Sequence, residues 1–177
     1  MSGPPDRITW AVAGLDLRAG QRVLELGMGR GVAAVVVLGE VPDVEYVGVD
    51  RSAIAVRAAG ARLQRHGAWS AVQLVHADVA ALDAAALSSF DVAFAINLNA
   101  FWTGPAHAEL AILRRLLEPA GGRLHLFYDP PRHARAQQIR GLAVGHLNEA
   151  GFEVDALEHV PDPKASRRWL HLAAELA

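Results

Sequence analysis

The sequence is organised around residues 23–31, which read Val23-Leu24-Glu25-Leu26-Gly27-Met28-Gly29-Arg30-Gly31. This stretch opens with a short apolar run typical of a strand, and the apolar run 32–38 that follows it is typical of a helix. The glycines between the two runs allow a tight turn and let a ligand approach the backbone. The amide groups at the start of such a helix suit polar or anionic groups of a ligand. The stretch therefore predicts a strand–loop–helix unit with a ligand-binding turn at the carboxyl end of the strand.

Acidic residues stand at the ends of the next two predicted strands. Asp50 ends the run Val47-Gly48-Val49, roughly 20 residues beyond the glycines, which is the spacing of a carboxylate that accepts hydrogen bonds from ribose hydroxyls. Asp78 follows His76-Ala77 at the end of the third strand, where a carboxylate could accept an adenine amino group. Each of the two residues could instead cap the helix that follows it. The three strand ends are expected to converge on one crevice.

Short β-branched runs alternate with helical patterns along the rest of the chain, which is typical of a parallel α/β sheet. The last two runs lie close together in sequence and predict a hairpin-like antiparallel pair. We expect a single α/β domain over residues 1–177, with a helix within 1–18. The predicted strands are 22–26, 45–49, 72–75, 92–96, 123–128, 152–159 and 168–174, and the predicted helices are 8–15, 32–38, 52–65, one opened by Thr103-Gly104-Pro105, and 133–149.

Composition excludes several classes of function. The formal net charge is -2, so the chain lacks the global basic field that recruits nucleic acid or an anionic membrane. There are no cysteines, which rules out disulfides, cysteine-based zinc sites and thiol nucleophiles. The histidines show no metal-ligand spacing, and we expect no metal. No secretory signal or membrane-length apolar run is seen, so a cytoplasmic location is expected.

Five segments resemble the class I S-adenosylmethionine-dependent methyltransferases. Residues 25–31 resemble the first motif of that family, while Asp50 and Asp78 match its ribose- and adenine-side acidic residues. Phe90-Asp91-Val92-Ala93-Phe94 is similar to the start of the family's fourth strand. The segment 116–124 is similar to its entry into strand five, with Ala120 in place of the usual glycine. The resemblance begins near residue 20 and covers essentially the remaining chain.

The resemblance implies a Rossmann-like, doubly wound sheet of seven strands, mostly parallel with an antiparallel last strand and helices on both faces. It also implies S-adenosylmethionine as cofactor and an N-terminal helix that packs near the cofactor crevice. A nicotinamide dinucleotide site is the rival, but the third glycine of that fingerprint would fall on Val32. The implied cofactor-binding residues are Glu25, Gly27, Met28, Gly29, Gly31, Asp50, Arg51, Ala77, Asp78, Val79 and Asn97.

The segment 97–102 follows strand four, where the resembled family positions the methyl acceptor. Asn97 and His107 are the candidate catalytic residues, and Asn99, Phe101 and Trp102 are the candidate substrate-binding residues. The aromatic rings could stack on a substrate or belong to the core, and His107 could be a general base or a solvated helix residue. The segment lacks the Asn/Asp-Pro-Pro motif of enzymes that methylate amino groups of nucleic-acid bases.

The sequence predicts a methyltransferase with a small-molecule acceptor and without a membrane or nucleic-acid partner. Two alternatives stay open: a methyltransferase that acts on a protein or nucleic acid, and a module that binds S-adenosylmethionine without transferring its methyl group. The chain adds little to the core fold, which leaves an open pocket unless the partner in a homodimer closes it.

Overall fold

A computed structural model of the chain describes residues 3–67, 72–160 and 168–177. Its strands form one sheet in the order β3-β2-β1-β4-β5-β7-β6. The strands are β1 (Arg22–Leu26), β2 (Glu45–Asp50), β3 (Val72–His76), β4 (Val92–Ile96), β5 (Arg123–Tyr128), β6 (Phe152–His159) and β7 (Trp169–Leu176). The helices are α1 (Asp6–Ala13), α2 (Val32–Glu40), α3 (Ala53–Arg65), α4 (Ala84–Leu87), α5 (Ala100–Thr103), α6 (His107–Leu117) and α7 (His133–Glu149).

Strand β1 is an interior strand of the sheet and pairs in parallel with β2 on one side and with β4 on the other. Strands β3 and β5 extend this arrangement in parallel. Strand β7 runs antiparallel to both β5 and β6. The predicted α/β class, the mostly parallel seven-stranded sheet and the antiparallel last strand are therefore confirmed. Because β1 to β5 are parallel, their carboxyl ends meet at one edge of the sheet.

Two apolar layers enclose the sheet, as the alternation of buried side chains along β1 requires. Val23 packs with residues of α1, α2 and α3, whereas Leu24 and Leu26 pack with α5, α6 and α7. This confirms the prediction of helices on both faces. The helix layers hold β1 between them, which fixes the position of the loop that follows it.

The helix predicted to open at Thr103-Gly104-Pro105 begins later, at His107, and the short helix α5 that precedes it was not predicted. Gly104 is extended, Pro105 cannot donate a backbone hydrogen bond, and Ala106 has a left-handed backbone, so α5 ends and α6 begins at His107. The prediction placed the proline in the first turn of one helix, whereas here it separates a four-residue helix from the next one. The break brings the first turn of α6 to the carboxyl edge of the sheet.

The buried stripe of α7 does not include every apolar residue of the helix. Leu142 is 41% exposed, although it lies next to the buried Ala143. The buried residues are Ala136, Ile139, Ala143 and Leu147, which follow a helical spacing that excludes Leu142.

Among the described residues, no helix is long and apolar enough to cross a membrane.

Two histidines lie against the aromatic side chains between α1 and the sheet. His125 on β5 and His171 on β7 are both buried, and His125 Nδ1 lies 2.9 Å from His171 Nε2. The pKa of each imidazole is lowered from 6.5 to about 4, by burial in His171 and, in His125, by burial first and then by the electrostatic effects of His171 and Arg123. Both rings are therefore neutral at pH 7.

The histidine pair should make the free energy of unfolding decrease as the pH is lowered. Since the folded-state pKa values are lowered, this stability is present above pH 6.5 and is lost as the pH falls towards 4, where the unfolded chain takes up protons that the folded chain refuses. The loss should be on the order of 3 kcal/mol for one imidazole. Thermal melts at pH 7.5 and 4.5 should show a steep fall for the wild type and a shallower one for the double variant His125→Leu/His171→Leu. The exposed control His66→Gln should behave as the wild type, and equal slopes in all three proteins would contradict the assignment.

Candidate active site

A cleft of about 450 Å³ opens at the carboxyl edge of the parallel strands. Its walls come from the ends of β1, β2, β3 and β4 and from the start of α5 and α6. The residues that line it are Gly27, Val49, Asp50, Arg51, Ala77, Asp78, Val79, Asn97, Leu98, Asn99, Ala100, Thr103 and Glu109. The predicted convergence of the strand ends on one crevice is therefore observed.

The glycine loop adopts a backbone that only glycine enters without strain. Gly27, Gly29 and Gly31 all have positive φ angles, between 54° and 69°. A Cβ atom at Gly31 would lie 3.0 Å from the Ala59 Cβ, so a side chain there would push α3 away from the start of α2. The Met28 amide donates to the Val49 carbonyl at 3.0 Å, which ties the loop to β2.

Asp50 joins this loop to the start of α3. Its Oδ2 accepts a hydrogen bond from the Gly29 amide at 2.8 Å, and its Oδ1 accepts one from the Ser52 amide at 2.8 Å. Ser52, not Asp50, is the N-cap of α3, since its hydroxyl accepts from the Ala55 amide at 3.3 Å. The capping alternative for Asp50 is therefore wrong. Asp50 lines the cleft, and each carboxylate oxygen has a further lone pair with which it could accept a hydroxyl.

Asp78 combines the two roles that the sequence left open. Its Oδ1 accepts from the Ala80 amide at 3.1 Å, so it caps the 3-10 turn Val79–Ala81. The same residue lines the cleft beside Ala77 and Val79. The predicted capping role of Asp78 is confirmed. Its contact with a ligand stays a prediction, and the capping hydrogen bond is compatible with it.

Asn97 ties the ends of β4 and β5 together. Its backbone is left-handed, with φ 57°, its amide donates to the Phe127 carbonyl at 2.7 Å, and its Oδ1 accepts from the Asp129 amide at 2.7 Å. Asn97 also lines the cleft. Because Oδ1 is engaged, the side-chain NH₂ is the group that Asn97 can offer to a ligand.

The comparisons with known proteins agree with this geometry. Residues 23–121, which are more than half of the chain, match a family model described as a methyltransferase domain.

The chain belongs to this methyltransferase family.

No curated protein matches the chain, but solved structures share its fold. An S-adenosylmethionine-dependent methyltransferase from Thiobacillus denitrificans, in complex with S-adenosyl-L-homocysteine, is 18% identical, with a TM-score of 0.70, over 99% of this chain and 92% of that one. The geranyl diphosphate C-methyltransferase from Streptomyces coelicolor is 11% identical, with a TM-score of 0.74, over 97% of this chain and 80% of that one. The [4+2]-cyclase SpnF is 20% identical, with a TM-score of 0.74, over 97% of this chain and 81% of that one.

The cofactor of this family is S-adenosylmethionine, and the cleft of the methyltransferase fits it. The volume is in the range of small-molecule sites. Asp50 and Asp78 stand on neighbouring strand ends, as carboxylates that bind a ribose and an adenine amino group should. The exposed Arg51 lies between them in sequence and also lines the cleft.

Four of the expected cofactor-binding residues, Glu25, Met28, Gly29 and Gly31, are not among the residues that line the cleft, and the side chains of the first two are buried. Met28 is buried, and its Sδ occupies the space beside Gly48, 2.4 Å from where a Cβ at that position would lie. Glu25 is only 4% exposed and accepts a hydrogen bond from the Tyr46 hydroxyl. The pKa of Glu25 is raised to about 8. Burial is the largest cause and the charge of Asp50 also raises the pKa, whereas the hydrogen bond from Tyr46 lowers it. Direct contact of either residue with the cofactor stays a prediction.

The structure divides the expected acceptor residues into two groups. Asn99 is exposed and lines the cleft, whereas Phe101 is fully buried and Trp102 is 9% exposed, and neither ring lines the cleft. Both belong to the core, and the Arg135 guanidinium lies 4.3 Å from the centre of the Trp102 ring. Stacking of these rings on a substrate stays a prediction that would require α5 to move. His107 is exposed on α6 and lies outside the lining residues.

Sequence reasoning missed Thr103 and Glu109, which line the cleft on the side of the loop after β4. Thr103 is the last residue of α5, and its hydroxyl donates to the Asn99 carbonyl at 3.0 Å. Glu109 lies in the first turn of α6. The predicted helix start at 103–105 placed Glu109 near the beginning of a helix, but no local signal distinguishes a residue that faces the cleft from one that faces solvent.

Replacing Asp50 by asparagine should weaken cofactor binding. The change removes the charge from hydrogen bonds to ribose hydroxyls that are each worth about 1.5–3 kcal/mol, so the Kd for S-adenosylhomocysteine should rise roughly tenfold to a hundredfold. Calorimetry measures this, and Asp43→Asn, in the exposed loop before β2, is the matched control. An Asp50→Asn variant that is folded and binds as tightly as the wild type would confine Asp50 to holding Gly29 and Ser52.

Replacing Glu25 by glutamine should stabilise the protein more at pH 9 than at pH 6. The folded-state pKa of Glu25 is raised, so the folded protein favours the neutral carboxyl. The contribution of this group to the free energy of unfolding is fully present below pH 4.5 and is lost as the pH rises through 8. Glutamine stays neutral and still accepts from Tyr46. The advantage of Glu25→Gln in thermal melts should therefore grow by roughly 3 kcal/mol between the two pH values, since about two pH units of the range lie below the folded-state pKa. The exposed control Glu40→Gln should show no such growth, and a constant advantage for Glu25→Gln would mean that its carboxyl does not titrate in this range.

Proposed function

We propose that the protein transfers the methyl group of S-adenosylmethionine to a small-molecule acceptor, which binds beside Asn97, Asn99 and Thr103. The observation that carries this proposal is the continuity of the cleft. One cavity runs from Asp50 and Asp78, on the cofactor side, to Asn99 and Thr103, on the loop after β4. A cofactor bound at the ends of β1, β2 and β3 would leave the part of the cleft beside Asn99 and Thr103 for the molecule that receives the methyl group.

The size and charge of the cleft favour a small acceptor. Arg51 is the single basic side chain among the residues that line it, and the chain carries a formal net charge of -2. Nucleic-acid sites present several basic groups to the phosphates, and this wall does not. The fold neighbours include a methyltransferase crystallised with geranyl diphosphate, a small molecule, which supports the same class of acceptor.

The bound cofactor supplies an activated methyl group on a sulfonium, so the residues of the chain chiefly orient the acceptor and exclude water. The Asn97 NH₂ group suits the orienting role because the position of this side chain is fixed by the Asp129 amide. Gly27, Gly29, Asp50, Asp78 and Asn97 are proposed to hold the cofactor. His107 lies outside the cleft lining, and the proposal assigns it no part.

Labelled methyl groups can identify the class of acceptor. The protein is incubated with methyl-labelled S-adenosylmethionine and a cell extract separated into small molecules, protein and nucleic acid. Label should appear in the small-molecule fraction and should drop sharply with Asp50→Asn. Label confined to protein or nucleic acid would establish a macromolecular acceptor instead, and cofactor binding without transfer to any fraction would favour a binding module.

Two variants of Asn97 separate its structural role from its role in positioning the acceptor. Asn97→Asp keeps an oxygen for the Asp129 amide and loses the NH₂ group, whereas Asn97→Ala loses both. Both should lower turnover on the order of tenfold to a hundredfold, since a positioning hydrogen bond is worth about 1–3 kcal/mol. Only Asn97→Ala should also lower the melting temperature. Full turnover in Asn97→Asp would remove the NH₂ group from the site.

A further inference from the structure

Glu109 is a half-buried carboxylate on the wall of the cleft that has no hydrogen bond or ion pair with any described residue. It lies in the first turn of α6, after Thr103 and the Gly104-Pro105 break. The described part of the chain gives it no hydrogen bond and no ion pair, although it contributes to the lining of the cavity. Its charge is therefore directed at whatever fills the cleft.

The other two carboxylates of the cleft differ from Glu109 in this respect. Asp50 accepts two backbone amides and Asp78 accepts one, so the fixed dipoles of the loop already offset part of their charge. Among the described residues that line the cleft, Arg51 is the single cation, and it forms no ion pair with Glu109 within 4.0 Å. The described lining therefore carries three carboxylates against one cation, and only the dipole of α6 offsets the charge of Glu109.

We propose that Glu109 is a specificity-determining residue that makes the cleft prefer a positively charged ligand, so that S-adenosylmethionine is held more tightly than S-adenosylhomocysteine. The inference rests on the cofactor identity given above. When the methyl group leaves, the sulfonium becomes a neutral thioether, and the acceptor gains the methyl group and loses a proton. The attraction between Glu109 and the cofactor therefore ends with the reaction, which favours exchange of the product for a new cofactor.

Three ligands of known charge test this without knowledge of the acceptor. S-adenosylmethionine and sinefungin, in which a carbon bearing an ammonium group replaces the sulfonium, are cations, while S-adenosylhomocysteine has no net charge. In Glu109→Gln the calorimetric Kd of both cations should rise roughly fivefold, as expected for one charge acting across a partly solvated cleft. The Kd of S-adenosylhomocysteine should change less than about twofold.

Two control variants separate charge from shape. Glu109→Asp keeps the carboxylate and should preserve the preference for cations, while Glu118→Gln removes an exposed charge that lies at the end of α6 and does not line the cleft. The preference in the wild type should also shrink as salt is raised from 0.05 to about 0.5 M, because the charges are screened. Thermal melts confirm that each variant is folded.

Equal changes in all three Kd values, or none, in a folded Glu109→Gln variant would overturn the proposal. The same holds if Glu118→Gln lowers the preference as much as Glu109→Gln does. A wild-type protein that binds none of the three ligands would instead refute the cofactor assignment on which the proposal rests. The two kinds of failure are therefore distinguishable within one set of titrations.

Discussion

The carboxylate of Asp50 accepts the Gly29 amide through one oxygen and the Ser52 amide through the other. These two bonds connect the glycine loop after β1 with the start of α3, across the end of β2. A loop with three left-handed glycines has high conformational freedom in the unfolded chain, so it needs such a constraint to hold one shape. The ends of β3 and β4, with Asp78 and Asn97, complete the cleft beside this loop.

The cofactor side and the acceptor side of the cleft are held together in different ways. On the cofactor side, Asp50, Asp78 and the Met28 amide all have partners within the chain. On the side of the loop after β4, Asn97 is held by the Phe127 carbonyl and the Asp129 amide. Behind this loop, in the core and outside the cleft lining, Trp102 Nε1 and Tyr128 Oη are buried and have no hydrogen-bond partner among the described residues. A buried polar group without a partner costs about 1–3 kcal/mol, so the core behind this loop is less well satisfied than the glycine loop.

Much of the fold and of the cofactor side could be predicted from the sequence, because local signals determine them. The apolar runs of β1, β4 and β5 were predicted to the residue, and the glycines with Asp50 and Asp78 marked the strand ends that form the cleft. The acceptor side could not be predicted in the same way. Phe101 and Trp102 follow a strand end just as Asn97 and Asn99 do, and only tertiary packing turns the rings into the core. Glu109 was placed near the start of a helix by the sequence, but only tertiary packing brings the first turn of α6 to the cleft, because its position depends on the backbone of residues 104–106.

We propose that the Asp50 carboxylate, which organises the glycine loop, also holds the ribose of the cofactor. A crystal structure of the protein with S-adenosylhomocysteine would test this directly. Both ribose hydroxyls should lie within about 3.2 Å of the Asp50 carboxylate oxygens, with the Gly29 amide still bound to Oδ2. A ligand whose ribose lies away from Asp50, or a glycine loop that rearranges so that the Gly29 bond breaks, would contradict it.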